Sequence, residues 1–239
     1  MGRTIKKGNK DVDIFSDLKS MLVSYEAFGI ENLPVDLNGF KSKISNRSSD
    51  RDLMLDELKE DIRDCTRCKL SEQRKNIVFG EGSSSSKIMF IGEAPGREED
   101  IQSRPFVGEA GVLLTKLIEK MGLKRYEVYI ANIVKCRPPV NRDPEDDEIS
   151  TCISFMDRQI EIIRPEVIIT LGRIALQSLM KDPSLKITAV RGKFFDYNEI
   201  PVMPTFHPAY LLRNPGDKWK TWADAQKSME KIRPEVVNQ

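Results

Sequence analysis

The residues of this 239-residue chain whose types first invite chemistry are four cysteines and a single histidine. The cysteines stand at 65, 68, 136 and 152. CTRC therefore forms one local chelate, and the other two thiols must be delivered by folding. This is not the paired CxxC knuckle of a zinc ribbon. A lone CxxC completed by two distant thiolates suits a four-cysteine iron–sulfur cluster and, less readily, a four-cysteine zinc site. Four inert buried thiols are the other reading. Cys152 supports that one, because Ile149, Cys152, Ile153, Met156, Ile160 and Ile163 recur at helical spacing on one apolar face. Two disulfides do not suit an intracellular chain of this size.

The histidine, His207, lies in TFHPAYLLRNP. A lone imidazole serves a core as readily as a reaction, so its meaning depends on what folds against it. GEAPGREED offers Glu93 just after an apolar run, with Gly92 and Gly96 allowing tight turns and the close approach of a ligand. PFVG offers Phe106, either a core ring or a flat surface on which a base can stack. Asn132 interrupts the apolar stretch YIANIV, and a buried amide needs partners for both its donor and its acceptor. Arg137, Arg142, Arg191, Lys193, Arg213, Lys218 and Lys220 follow the apolar runs and would make a local basic rim; each taken alone is ordinary surface charge.

The elements that must position these residues alternate. KIMFIG, VYIANIV, EVIITLG and VMPTF read as short buried strands. GVLLTKLIEKMG, DDEISTCISFMDRQIEIIRP, RIALQSLM and a stretch from Trp219 read as helices. Such alternation predicts an α/β fold, a three-layer αβα sandwich with a central, mainly parallel four-stranded sheet. In open sheets of this kind ligands bind beyond the carboxyl ends of the strands. GEAPG, the Asn132 segment, LG and FHP all lie at those ends, so four segments converge on one crevice and bring His207 with them. Residues 1–60 differ, with a basic polar tail, an amphipathic stretch around Ile14 to Phe28 and the polar run KSKISNRSSDRD. They read as a partly helical N-terminal extension and linker, with Leu53 to Ile62 as a helix leading into Cys65. The αβα domain is expected over 61–232 and a short tail over 233–239.

Composition sets the outer bounds. With 39% hydrophobic residues the chain buries a sizeable core, and a net charge of +1 does not announce a nucleic-acid binder, so any DNA contact is local. No run of about 18 apolar residues exists and the basic start is not followed by an apolar segment, which argues against a membrane span or signal peptide and makes the cytoplasm the default.

With the four cysteines, GEAPGREED, PFVG, NIVKCRPPVNR, LG, RG and TFHPAYLLR in this order, the chain resembles the family 4 uracil-DNA glycosylases, the iron–sulfur type of bacteria and archaea, over about residues 62–230. The resemblance implies a DNA repair enzyme, probing uracil-containing DNA, single- or double-stranded, as a monomer and hydrolysing the uracil N-glycosidic bond. It also implies a structural [4Fe-4S] cluster on Cys65, Cys68, Cys136 and Cys152. Glu93, Asn141 and His207 become the catalytic set, with Glu93 and Asn141 orienting water or shaping the pocket and His207 stabilising charge on uracil. Ala94, Phe106, Asn132 and His207 become the uracil pocket, Asn132 reading the base and Phe106 stacking on it. Arg137, Arg142, Arg191, Tyr210, Leu211, Leu212 and Arg213 become DNA contacts, Tyr210 to Arg213 forming the loop that fills the space left by the flipped base. The family usually has Gly at Ser103, and the best-known uracil glycosylases have Asp at Ala94. Residues 1–60 have no counterpart in the resemblance; they dock on the domain, contact DNA or bind a protein partner.

Other readings separate on particular features. A covalent uracil-DNA binder of this fold uses a histidine on an Arg-rich loop, whereas the one histidine here is already in HPAYLLR. A non-catalytic DNA-binding protein would not need Glu93, Asn132, Asn141 and His207 together. An enzyme admitting hypoxanthine would differ around Ala94 and Phe106.

Overall fold

The computed structural model describes residues 48–232 of the chain. The helix expected around Ile14 to Phe28 and the tail after residue 232 lie outside the described residues. Six strands, β1 (Glu81–Gly82), β2 (Ile88–Gly92), β3 (Tyr129–Asn132), β4 (Val167–Leu171), β5 (Phe195–Tyr197) and β6 (Ile200–Thr205), form one sheet. Their order is β1-β3-β2-β4-β6-β5. The helices are α1 (Ser48–Ile62), α2 (Arg97–Gln102), α3 (Glu109–Lys120), α4 (Asp146–Ile163), α5 (Arg173–Met180), α6 (Ile187–Val190), α7 (Pro208–Arg213) and α8 (Lys218–Ile232).

The four strands expected from sequence are the parallel centre, β3-β2-β4-β6. The expectation of four strands is nevertheless corrected to six, because β1 pairs antiparallel with β3 and β5 antiparallel with β6 at the two edges. Both edge strands are only two or three residues long and carry no apolar run. The β5–β6 hairpin turns on Asn198 and Glu199, both at positive φ (50° and 68°), a two-residue turn without the usual glycine.

β2 and β4 are buried along their whole length, as strands covered on both faces must be. Alternation sends Met89 and Ile91 of β2 to one side and Ile88 and Phe90 to the other. The first side meets α1, α4 and α5 through Leu58, Ile62, Phe155, Met156 and Leu179. The second meets α3 and α8 through Leu114, Ile118 and Ala225. Helix α1 starts earlier than sequence suggests and buries Leu55, Leu58 and Ile62 in the first layer. The boundary expected at residue 60 therefore falls inside a helix that belongs to the folded core.

In this strand order the chain passes from β2 to β3 on one side and returns to β4 on the other. The crevice opens beyond the carboxyl ends of β2, β3 and β6, beside the β2–β4 junction where such a reversal leaves room for a ligand.

Candidate active site and cysteine cluster

A cavity of about 550 Å³ lies at that crevice, lined among others by Glu93, Ala94, Phe106, Asn132, Asn141, Arg142, His207, Tyr210 and Arg213. Sequence segments more than a hundred residues apart thus meet in one pocket. A larger groove of about 670 Å³ between α4 and α5 contains none of the expected residues.

Gly92, the last residue of β2, lies beside Asn132, the last of β3. A Cβ at Gly92 would come within 2.4 Å of Asn132 Oδ1 and 2.5 Å of Phe106 Cζ. What this glycine admits is therefore the pocket's own amide and ring. Asn132 is almost wholly buried, yet among the described residues its Oδ1 has no hydrogen-bond partner. A buried carbonyl left so costs about 1–3 kcal/mol unless a ligand donates to it.

Phe106 is buried on a backbone at φ +50°, an unusual conformation for a bulky residue. The buried carboxylate of Glu99 holds it there, accepting from the amides of Val107 and Gly108 at 2.9 Å each, while the Arg125 guanidinium donates to the Pro105 carbonyl. Gly111 is also required, since a Cβ there would strike the Phe106 carbonyl at 1.9 Å. Ser103 closes α2 at φ +57°, in the left-handed region where glycine is at ease.

His207 follows β6 and caps α7, its Nδ1 accepting from the Ala209 amide at 3.1 Å. With Nδ1 an acceptor, the ring proton of neutral imidazole sits on Nε2, which is left free to donate. Burial, reinforced by Arg213 and partly opposed by Glu99, lowers its pKa to about 4, so the ring is neutral at physiological pH. Its centroid lies 5.7 Å from that of Phe106. The backbone carbonyl of Glu93 accepts from the Val134 amide at 3.1 Å, whereas its carboxyl has no hydrogen bond or ion pair among the described residues. Burial, then the nearby Asp143 carboxylate, push its pKa up to about 7, against the pull of Arg173.

The remaining candidates separate. Asn141 is exposed at φ +55° and its Oδ1 accepts from Arg137 Nε at 2.7 Å. Arg142 is held by both oxygens of the buried Glu148, at 2.9 and 2.7 Å. Arg213 is exposed at the pocket edge. Arg191 is not on that rim as a free cation. It is clamped to Asp224 at 3.0 Å through Nε, donates to the Lys220 carbonyl and lies over the Phe206 ring. Leu211 is buried at 3% exposure, so of the two leucines only Leu212, at 41%, faces outward. Tyr210 stacks on Phe206 at 4.7 Å and donates its hydroxyl to Asp217.

The four cysteines gather on the α1–α4 side of the sheet. Cys136 and Cys152 are buried and Cys65 and Cys68 pack against the same core. Burial pushes the Cys136 thiol up to about 11, with Arg74 pulling it back and Cys152 and Cys68 adding to the rise. Burial likewise raises Cys152 and Cys68, and each is raised further by neighbouring cysteines. Two donors already point at sulfur. Arg74 Nη1 lies 3.3 Å from Cys136 Sγ and the Lys135 amide 3.4 Å from Cys152 Sγ. No group of three or more His, Cys, Asp or Glu among the described residues is arranged to hold a metal ion as it stands.

Sequence reasoning missed Glu99 and Lys135. Glu99 is one acid among several in GEAPGREED. The signal for Lys135 was a cation inside an apolar run: fully buried, it donates to the Asn132 carbonyl at 2.8 Å and to Gln159 Oε1 at 2.6 Å.

Strand order, crevice and the trio of open amide, unpaired carboxyl and neutral imidazole around an aromatic ring define an open α/β protein suited to a flat ring with a polar edge. Residues 79–232 match the uracil DNA glycosylase superfamily. The type-4 uracil-DNA glycosylase of Saccharolobus solfataricus is 54% identical over 169 residues, covering 67% of this chain and 78% of that protein. That of Thermotoga maritima is 48% identical over 165 residues, covering 69% and 86%. A type-5 uracil-DNA glycosylase of Pyrobaculum aerophilum is more distant, at 29% over 151 residues. The chain belongs to the uracil DNA glycosylase superfamily and, within it, to the type-4 uracil-DNA glycosylases.

Proposed function

We propose that this protein removes uracil from DNA by hydrolysing the N-glycosidic bond, leaving an abasic site, and that the pocket at the β2–β3–β6 ends performs the reaction. The observation that carries the reading is the unpartnered Oδ1 of buried Asn132, set beside the Phe106 ring. Uracil presents N3–H as a donor and O4 as an acceptor, which suit the two ends of an amide. Cytosine presents the reverse, and an amide held in one orientation rejects it. The base reaches the pocket only when flipped, at a cost of a few kcal/mol that is least in a single strand or a mispair.

As the bond breaks, negative charge grows on uracil and the sugar becomes oxocarbenium-like. The Nε2–H of neutral His207 donates to uracil O2 and stabilises charge that exists only in the transition state. Ionised Glu93 and Asn141 orient the water that attacks the sugar. Arg137, Arg142 and Arg213 meet phosphates, and Leu212 fills the vacated stack. Arg191 and Leu211 support that surface from within rather than touching DNA.

The cysteines fit a [4Fe-4S] cluster. All four are thiols in a common core, each beside another, and N–H donors already face two of the sulfurs. Cys65, Cys68, Cys136 and Cys152 would hold it. When bound, the cluster would tie the segment after α1, the segment after β3 and α4 together, with no redox part in hydrolysis.

The test is single-turnover incubation with matched oligonucleotides bearing U, T or C, followed by alkaline cleavage of abasic sites. Cleavage is expected only at U, and Asn132→Ala should abolish it. Cleavage at C as readily as at U, or an active Asn132→Ala, would overturn the reading. Cleavage at none, in protein with an absorbance near roughly 400 nm from its cluster, would favour a binding protein of the same fold.

A further inference from the structure

We propose that Trp219 is a base-stacking platform for single-stranded DNA beside the crevice. The proposal rests on the uracil-excision reading and extends that site to nucleotides flanking the target.

Trp219 opens helix α8 and is 65% exposed, the most solvent-exposed aromatic ring among the described residues. It is not needed for packing α8. Trp222 rests on the core beneath the sheet with Lys120 over its ring at 4.3 Å, and Thr221, Asp224, Ala225 and Ser228 are the helix's buried residues. Among the described residues the exposed indole is met by Lys220, whose Nζ lies 5.8 Å from its centroid, and most of its large apolar surface is open.

A short series of contacts joins this ring to the pocket. Tyr210 lines the cavity and donates its hydroxyl to Asp217 at 2.7 Å. Asp217 pairs with Lys220 at 2.8 Å, and Lys220 Nζ lies 5.8 Å from the Trp219 ring centroid. The ring is thus held at the end of the same α7–α8 corner that carries His207, Leu212 and Arg213. Its surroundings suit an anion: Arg213 and Lys218 are exposed in this corner, while its one acid, Asp217, pairs with Lys220 and accepts from Tyr210.

Positive charge tracking a backbone, with an aromatic face beside it, is the pattern that binds single strands without reading sequence. In duplex DNA the base faces are covered by their neighbours. In a single strand they are open to an indole, so Trp219 contributes mainly to single-strand affinity.

The chain has two tryptophans, Trp219 and Trp222, which makes the contact directly observable. The full cluster-containing protein is titrated with a uracil-free single-stranded oligonucleotide, and with the same sequence as a duplex, while indole fluorescence is followed. Affinities are measured separately by anisotropy of labelled DNA. The single strand should quench wild-type fluorescence, and Trp219→Phe, which keeps only Trp222 as reporter, should lose that response. Trp219→Ala should bind the single strand about tenfold more weakly, with a smaller change for duplex and most affinity recovered in Trp219→Phe. Quenching that persists in Trp219→Phe overturns the proposal. So does single-strand affinity within about twofold of wild type in Trp219→Ala. Should the alanine variant misfold by circular dichroism, the phenylalanine variant still decides. Uracil release by the wild type, measured alongside, keeps the two ideas apart: no release with the Trp219 response intact removes excision and leaves the surface, while release with no Trp219 response removes the surface alone.

Discussion

The cysteine-bearing core and the crevice both place polar groups in the interior, and they finish them differently. Near the cysteines the bonds close on the protein itself. Lys135 reaches the Asn132 carbonyl and Gln159, and Gln159 in turn donates to the Phe79 carbonyl and the Tyr129 hydroxyl. In the crevice, among the described residues, Asn132 Oδ1 is left open, the Glu93 carboxyl is unpaired and His207 has a free Nε2–H. Asn132 belongs to both regions, its backbone fixed by the buried lysine and its side chain offered to the pocket. A closed network holds a shape, and an open buried group is complete only when a ligand supplies the missing partner.

The largest effect should come from removing the open donor of the crevice. His207→Ala is expected to lower single-turnover uracil excision by about 10²–10³-fold while leaving the cluster absorbance intact. Because His207 also caps α7, His207→Ser is the companion variant. It retains an oxygen able to cap the helix but lacks the reach to uracil. Equal loss in both variants would assign the effect to the donor, whereas recovery in the serine variant would show that helix capping carries it.

The contrast between these regions also explains what sequence could reveal. β2 and β4 were legible because strands buried on both faces read as unbroken apolar runs, and α4 because its apolar face repeats over five turns. The edge strands were not, since two or three residues carry no period. Glu93, Phe106, Asn132 and His207 stood out because each interrupts or ends a pattern. The role of Glu99 was hidden, since only folding distinguishes its buried carboxylate from that of exposed Glu98 beside it. Leu211 and Leu212 differ by one step around a six-residue helix, too short to fix which leucine faces the core. Arg191 and Arg213 look alike in sequence, and only the position of Asp224 separates the clamped from the free.

The unpaired carboxyl of the crevice predicts a pH signature of intermediate size. With the pKa of Glu93 raised to about 7 by burial and Asp143, excision should climb by about tenfold per pH unit below that value and level off above it. His207, neutral above about 4, contributes no limb in this range. Glu93→Gln should therefore flatten the profile. A limb near 7 that survives in this variant would remove Glu93 from water activation. Stability has its own sign: between the ordinary value of 4.5 and about 7 the folded state holds a proton that the unfolded chain has released. Stability then declines as pH rises across this window, and Glu93→Gln should remove the decline.

The smallest effect is expected in the closed region, at Arg74. Its guanidinium donates to Cys136 Sγ at 3.3 Å, and donors to ligand sulfur stabilise thiolate charge in an iron–sulfur site. Removing it leaves the other N–H···S bond, from the Lys135 amide to Cys152, in place, so the cluster should still assemble. In cluster-bearing Arg74→Met, iron is expected to be lost to a chelator a few-fold faster than in wild type, read as bleaching of the absorbance near roughly 400 nm. Arg74→Lys keeps the charge but loses the planar donor geometry, and should fall between the two. Bleaching at the wild-type rate in Arg74→Met would remove Arg74 from cluster retention. It would also sharpen the contrast with the crevice, because loss of a single donor would then be absorbed by the closed region and felt only in the open one.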